Sequence, residues 1–138
     1  MKYNKSQKEN LCIIPARKGS KGIKNKNIVK FRGKPLIQHT FITAKKLQKK
    51  FDVLVSTDSK IIRKLILKNN FYFTGLRPKS LSGDKVETKN VLKYELKKIE
   101  KLQKKKYRNI LLLQPTCPFR DPKKIMLSLK KIKSGLYD

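Results

Sequence analysis

A short loop rich in glycine and basic residues has the composition of a phosphate-binding site. It spans residues 15–22, reads Pro-Ala-Arg-Lys-Gly-Ser-Lys-Gly and directly follows an apolar run. Glycine lets the backbone bend so that N–H groups can point at a phosphate, and Arg17 and Lys21 add fixed positive charge. Lys26 and Asn27 follow on the same loop, a concentration that suits a triphosphate. A flexible basic loop is the alternative, because neither the Rossmann nor the P-loop glycine pattern is present.

Four short apolar runs, the first of them directly before this loop, alternate along the chain with segments of helical periodicity. The runs cover residues 11–16, 53–55, 71–73 and 110–113 and are too short for helices, so we expect buried strands. On the third helical segment, the face opposite the apolar one is almost all Lys and Glu. This alternation predicts an α/β fold of the Rossmann-like class, with an open, mostly parallel sheet and helices on both faces. Ligands of such sheets bind outside the carboxyl ends of the strands, where the loop lies.

The 138 residues have room for one domain, which we place at residues 11–138 after an N-terminal tail of residues 1–10. The formal net charge of +28 leaves two interpretations open. Lysines on polar helix faces would form a solvated surface, and we expect the run Lys104–Lys106 to be part of it. A small basic nucleic-acid-binding protein is the alternative. The aromatic residues are not interleaved with the basic ones in the way of a base-stacking platform, and no helix-turn-helix or RNA-recognition signature is present. We therefore expect no specific nucleic-acid partner.

Few other residues have the pattern of a reactive site. Cys12 and Cys117 lack the spacing of a zinc or redox site, so we expect ordinary reduced thiols. His39 falls on a predicted amphipathic helix and is interpreted as a surface or boundary residue. No apolar run reaches the roughly 18 residues of a membrane span, and no signal-peptide pattern is present. These features predict a soluble, cytoplasmic protein without a membrane partner.

Four segments, in order, resemble the acylneuraminate (CMP-sialic acid) cytidylyltransferase family. The first is IIPARKGSKGIKNKN followed by GKPLI, within residues 13–37. The others are VSTDS at 55–59, RPKSLSGD at 77–84 with Thr88 beyond it, and LLQPTCPFR at 112–120. Any one segment alone is a weak signal, but the four together span residues 11 to about 135 and are specific.

The resemblance implies a nucleotidyltransferase domain in which CTP lies across the first loop. Carried over to this sequence, the residues that hold the triphosphate are Arg17, Ser20, Lys21, Lys26 and Asn27. Three of them, Arg17, Lys21 and Lys26, are the expected catalytic cations, because they would neutralise charge that develops on the phosphates.

Three further positions match the family around the other parts of the ligands. Arg77 and Thr88 match positions near the cytosine and ribose, and Gln114 matches one that contacts the sugar. Each has a structural alternative. Arg77 could anchor a loop, Thr88 could cap the following helix, and Gln114 could satisfy backbone groups at a strand end.

The reaction that the resemblance implies is attack of a sugar's anomeric hydroxyl on the α-phosphate of CTP. The products are a CMP-sugar and pyrophosphate. Positioning and charge neutralisation should dominate over covalent chemistry in such a transfer. Magnesium is the expected cofactor, bridging phosphate oxygens with few protein carboxylates in its shell.

The family's catalytic domain is longer than this chain, so the resemblance covers a truncated, N-terminal nucleotide-binding portion. In the family, the following region supplies the magnesium-binding aspartates, much of the sugar pocket and the dimerisation element. We expect no metal ligands here, because Asp58 sits in a helix-capping context, Asp84 in an irregular loop and Asp121 at a helix start. The chain would then be inactive alone and would act with a complementing C-terminal segment or as a homodimer.

The acidic sugar stays open. N-acetylneuraminate or a similar nonulosonate is the first expectation, and legionaminate, pseudaminate and 3-deoxy-manno-octulosonate are the alternatives, as is a different nucleotide. The loop sequence GSKGIKNKN at 19–27 looks closer to the sialate and legionaminate branch than to the octulosonate one.

Overall fold

A three-stranded parallel sheet forms the centre of the fold in the computed structural model, which describes residues 5–136. Its strands are β1 (Asn10–Pro15), β4 (Phe51–Ser56) and β5 (Asn109–Leu112), in the spatial order β4-β1-β5. In the middle strand, Ile13 pairs with Leu54 on one side and with Leu112 on the other. A small antiparallel pair, β2 (Lys30–Phe31) and β3 (Lys34–Pro35), follows the first loop.

Helices cover both faces of the sheet, as predicted. They are α1 (Leu36–Leu47), α2 (Lys60–Lys68), α3 (Thr88–Gln103) and α4 (Pro122–Lys133). Alternate side chains of β1 point to opposite faces. Cys12 and Ile14 pack with α1, α2 and α4, whereas Leu11 and Ile13 pack with Ile99 of α3. The α/β class expected from the sequence is confirmed.

Two of the helices begin at polar side chains that cap them. Ser59 Oγ accepts the Ile62 N–H at 3.3 Å and caps α2. Asp121 Oδ1 accepts the Lys123 N–H at 2.9 Å and caps α4, where a proline takes the first position. None of the helices within residues 5–136 has the length and apolar character needed to cross a membrane.

The prediction of a strand at residues 71–73 is wrong. Within this run, Tyr72 alone pairs with the sheet edge, donating its N–H to Val53 O at 2.8 Å and accepting from Val55 N–H at 3.1 Å. The chain then turns away at Gly75, whose φ is +113°. Because Arg77 N–H donates to Thr57 O at 2.8 Å, the segment is drawn across the carboxyl end of β4 before a ladder can form.

The run Lys104–Lys106 was expected to be solvated, and this prediction is wrong for Lys105. Lys105 Nζ lies 3.0 Å from Asp52 Oδ2, and the lysine side chain is only 15% exposed. Buried Asp52 also accepts the Tyr107 and Ser6 hydroxyls, each at 2.7 Å. Burial, and then the bond to Asp52, raise the pKa of the Tyr107 phenol. A buried polar cluster therefore closes the sheet edge at the amino ends of the strands.

Part of the predicted N-terminal tail packs on the domain. Asn10, its last residue, is the first residue of β1. Ser6 N–H also donates to Gln103 Oε1 of α3 at 2.9 Å. Residues 1–4 of the tail lie outside the described part of the chain.

Candidate functional site

A cleft of about 320 Å³ opens at the carboxyl ends of β1 and β5. Of the residues that the sequence nominates for binding, the following line it: Arg17, Ser20, Lys26, Asn27, Arg77, Thr88 and Gln114. Lys21 does not belong to the lining and is exposed on the same loop. Segments more than ninety residues apart in the sequence therefore meet around one space, at the sheet edge where α/β folds bind their ligands.

The backbone of the glycine-rich loop is fixed where it leaves β1. Thr57 Oγ1 donates to Ala16 O at 2.6 Å, and Asp58 Oδ1 accepts the Lys18 N–H at 2.6 Å. Asn27 Nδ2 donates to Arg17 O at 3.0 Å and joins the end of the loop to its start. Asp58 was expected in a capping context, but Ser59 caps α2 and Asp58 holds the loop.

Two side chains from this loop, Arg17 and Lys26, bring positive charge to the cleft. Arg17 forms an ion pair with Asp84, which lies on the opposite wall. Among the ion pairs of the described residues, none involves Lys26. Ser20 Oγ donates to Ile23 O, so its hydroxyl hydrogen is used within the loop.

Arg77 is buried and holds the second wall of the cleft in place. Its Nε donates to Ser56 Oγ at 3.0 Å and its Nη2 to Ser56 O at 2.8 Å. Its Nη1 reaches Leu81 O at 3.3 Å, within the irregular segment before α3. Burial lowers the pKa of the Arg77 guanidinium, and the nearby carboxylates of Asp58 and Glu95 oppose that shift. The loop-anchoring alternative thus describes its contacts in this structure.

Glu95 of α3 belongs to the hydrogen-bond network that holds this wall, and the sequence interpretation missed it. The residue is fully buried, with Ser56 Oγ donating to Oε1 at 2.6 Å and the Thr74 hydroxyl donating to Oε2. Because Ser56 Oγ also accepts from Arg77, the serine hydroxyl relays between a buried cation and a buried carboxylate. A usable signal was present, since Glu95 lies four residues from both Val91 and Ile99 on the apolar face of the helix.

Thr88 and Gln114 lie at the two sides of the cleft. Thr88 is the first residue of α3, and the capping position before it, Glu87, makes no side-chain capping bond. Gln114 follows β5, and its carbonyl accepts the Cys117 N–H at 3.1 Å. Within residues 5–136, no hydrogen bond involves the Thr88 hydroxyl or the Gln114 side-chain amide. Both groups are therefore open to a ligand in the cleft.

His39 lies away from this cleft, at a boundary position as predicted. It is half-buried, its Nε2 donates to Phe31 O at 2.7 Å, and its ring packs edge-on against Phe31 and Phe119. The cysteines are free thiols, Cys12 in the core and Cys117 at the surface.

The described residues do not make a divalent-metal site on their own. Asp84 is the one carboxylate among the described residues that line the cleft, and Arg17 already pairs with it. Within residues 5–136, no group of three or more His, Cys, Asp or Glu side chains is placed to hold a metal ion. The donor set of the cleft consists of cations, amides and hydroxyls, which suits a polyanion.

A cytidylyltransferase family model matches residues 11–137 of the chain. The CMP-N,N'-diacetyllegionaminic acid synthase of Legionella pneumophila is 38% identical over 117 residues, which are 83% of this chain and 49% of that protein. The N-acylneuraminate cytidylyltransferase of Streptococcus agalactiae serotype III is 38% identical over 112 residues, 80% of this chain and 26% of that protein. The chain thus spans half or less of the length of these relatives.

The fold also matches a solved structure. A CMP:2-keto-3-deoxy-manno-octonic acid synthetase, solved in complex with CTP, superposes with a TM-score of 0.70 at 21% identity. The match covers 91% of this chain and 48% of that protein. The nucleotidyltransferase fold expected from the sequence is confirmed.

Proposed function

Since this chain belongs to the cytidylyltransferase family, we propose that its cleft binds CTP. The chain would form the nucleotide-binding part of an enzyme that transfers CMP to an acidic nonulosonate sugar and releases pyrophosphate. The observation that carries the proposal is the meeting of Arg17 and Lys26, from one loop, with Thr88 and Gln114 in a single cleft. That arrangement offers cations for phosphates on one side and neutral polar groups for a base and a sugar on the others.

The triphosphate would lie along the glycine-rich loop. Arg17, Lys26 and the amide of Asn27 face the cleft there, and Lys21 would join them by swinging its exposed side chain inward. Arg17, Lys21 and Lys26 would act catalytically by neutralising the charge that builds up on the phosphates during transfer. Ser20 would contribute through its place in the loop.

The nucleoside would lie against the second wall. Thr88 offers a hydroxyl there, and Arg77 would act through the segment that it holds as well as through its charge. Gln114, at the end of β5, would meet the acidic sugar with its amide. The two relatives at 38% identity bear the names of different sugars, a legionaminic acid and an acylneuraminate, so the proposal extends to the class of acidic nonulosonates.

Magnesium would supply further neutralisation of the phosphates when bound. Because the described residues offer the cleft one carboxylate, already paired with Arg17, we assign no magnesium ligand to this part of the chain. We also propose a cytoplasmic location. The partner would be a second copy of this chain or a complementing C-terminal segment, since the chain covers 49% of the length of the Legionella relative. We expect no CMP-sugar synthesis from the 138 residues alone.

Calorimetric titration with three nucleotides tests the assignment. CTP should bind weakly, and ATP and GTP should bind at least several-fold more weakly, because Arg77 and Thr88, which match the family's positions near the cytosine and ribose, line the cleft. The titrations should be run at physiological salt, since the net charge of +28 attracts any polyanion when salt is low. Equal affinity for all three nucleotides would remove the cytidine assignment.

A further inference from the structure

An ion pair bridges the cleft between its two walls. Arg17 lies just after β1, Asp84 lies in the segment before α3, and Arg17 Nη1 contacts Asp84 Oδ1. The two side chains are 27% and 46% exposed, so the pair is open to solvent and to ligands. Asp84 therefore binds the guanidinium that, in the proposed function, would bind the triphosphate.

The backbone on the arginine side stays fixed whichever partner the guanidinium has. Ala16 N–H donates to Ser56 O at 2.8 Å, and Lys18 N–H donates to Asp58 Oδ1 at 2.6 Å, so both neighbours of Arg17 are tied to the end of β4. The Arg17 carbonyl itself accepts from Asn27. The guanidinium can thus exchange partners by side-chain rotation, while the loop keeps its shape.

The carboxylate side is held much less. Asp84 lies in a turn that one long bond closes, from Val86 N–H to Gly83 O at 3.3 Å. Within residues 5–136, no polar partner other than Arg17 contacts the carboxylate. Opening the pair would therefore free the Asp84 carboxylate without breaking another of its hydrogen bonds or ion pairs.

The ion pair removes one of the few cations that the cleft could offer to phosphates. Of the cations that line it, Arg77 is committed to Ser56 and Leu81. Arg17 and Lys26 remain for the phosphates, and Asp84 neutralises the charge of Arg17.

We propose that Asp84 competes with the nucleotide's phosphates for Arg17, so that a triphosphate must displace this carboxylate in order to bind. The proposal rests on the proposed function, because it assigns a control on the same cleft. A partly exposed ion pair is weak. A triphosphate carries several charges and can accept two parallel N–H bonds from a guanidinium, so it wins the exchange. A singly charged anion gains little over Asp84, and the pair thus favours triphosphates over small anions.

The experiment uses inorganic tripolyphosphate as the probe, titrated by calorimetry with a chelator present to remove divalent cations. Asp84→Asn should bind it about two- to fivefold more tightly than the wild-type chain, the range that corresponds to a partly exposed ion pair. Glu87→Gln is the matched control, because it also removes one carboxylate near the cleft, but one that pairs with Lys89 at 2.8 Å on the surface. Its affinity should equal that of the wild-type chain.

A double-mutant cycle localises the effect to Arg17. In an Arg17→Ala background, Asp84→Asn should change affinity no more than Glu87→Gln does. The proposal is overturned if Asp84→Asn binds tripolyphosphate equally or more weakly, if its gain persists in full without Arg17, or if neither protein binds the probe. The proposed function is judged separately, since it fails when CTP shows no preference over ATP and GTP even though Asp84→Asn tightens tripolyphosphate binding.

Discussion

Lys105 Nζ lies 3.0 Å from Asp52 Oδ2, at the amino ends of the strands, whereas the cleft lies at their carboxyl ends. The ammonium also lies 4.4 Å from the centre of the Tyr107 ring. In a chain with a net charge of +28, most lysines repel one another at the surface, but this one neutralises a buried acid. Lys105 is therefore part of the fold's internal structure.

Replacing Lys105 with alanine should destabilise the domain. The change leaves buried Asp52 with hydroxyl donors and the more distant Lys8, and the loss should be about 1 to 3 kcal/mol, the range for leaving a buried polar group poorly paired. Urea unfolding followed by circular dichroism measures it. Lys101→Ala, at an exposed position of α3, is the control and should change stability by less than about 0.5 kcal/mol. Equal effects of the two variants would mean that Lys105 is solvated after all.

Replacing Arg17 with alanine should weaken CTP binding by about 1.5 kcal/mol, the lower end of the range for hydrogen bonds to a charged group. The lower end is expected because Asp84 already competes for the guanidinium in the free chain. Calorimetry at physiological salt measures the difference. Arg108→Ala is the matched control, since Arg108 is exposed next to β5 at the amino ends of the strands. If both variants lose the same affinity, the cleft is one part of a diffuse basic surface.

Replacing Glu95 with alanine should cost about 2 to 4 kcal/mol of stability. The change strands the Ser56 and Thr74 hydroxyls and removes the carboxylate that faces buried Arg77, and losing one partner of a buried charged network is expensive. Glu95→Gln should cost less, because its amide keeps one acceptor and the side-chain volume. Thermal unfolding of both variants, with exposed Lys93→Ala as the control, gives the order. A neutral Glu95→Ala variant would show that the network contributes nothing to stability.

The sheet and the cleft loop were predictable because their signals are local. The apolar run that contains Ile13 and Ile14 forms the central strand, and the glycine-rich loop follows it at the carboxyl end. Parallel strands then bring their carboxyl ends to one edge, which is why loops that are distant in sequence share the cleft. The roles of the individual site residues stay predictions.

The errors arose where contacts between distant segments outweigh local pattern. Residues 71–73 have the composition of a strand, but Arg77 draws the following segment over the end of β4. Lys105 looks like a surface lysine among lysines, and its partner Asp52 lies 53 residues away. Glu95 was hidden among the charged residues of α3, although its spacing placed it on the apolar face. The burial of Lys105 thus depends on a distant partner that local periodicity does not reveal, whereas the burial of Glu95 follows from its spacing along the helix.

The two cysteines should differ sharply in reactivity. Cys12 is buried in β1, and burial raises the pKa of its thiol to about 12 against a small opposing effect of Arg120, so almost no thiolate exists at pH 8. Cys117 is exposed. Iodoacetamide at pH 8 should therefore label the folded chain once, at Cys117, and mass spectrometry should find Cys12 labelled after unfolding in urea. Rapid labelling of Cys12 in the folded chain would contradict its position in the core.

The same shift predicts a pH dependence of stability. The folded pKa of Cys12 is raised above the ordinary value of 9.0, so its contribution is fully present below about pH 9 and is lost as the pH rises towards 12. Above pH 9 the unfolded chain ionises this thiol freely, whereas the folded chain keeps it neutral, and unfolding becomes easier. The measurement is the free energy of unfolding from pH 7.5 to 10.5 for the wild-type chain and for Cys12→Ala, because the other titrating groups, the lysines and Tyr107 among them, act on both proteins alike. The stability advantage of the wild-type chain should shrink steadily above pH 9. An advantage that stays constant up to pH 10.5 would mean that the thiol ionises equally well in the folded chain, and Cys12 would then be accessible to water.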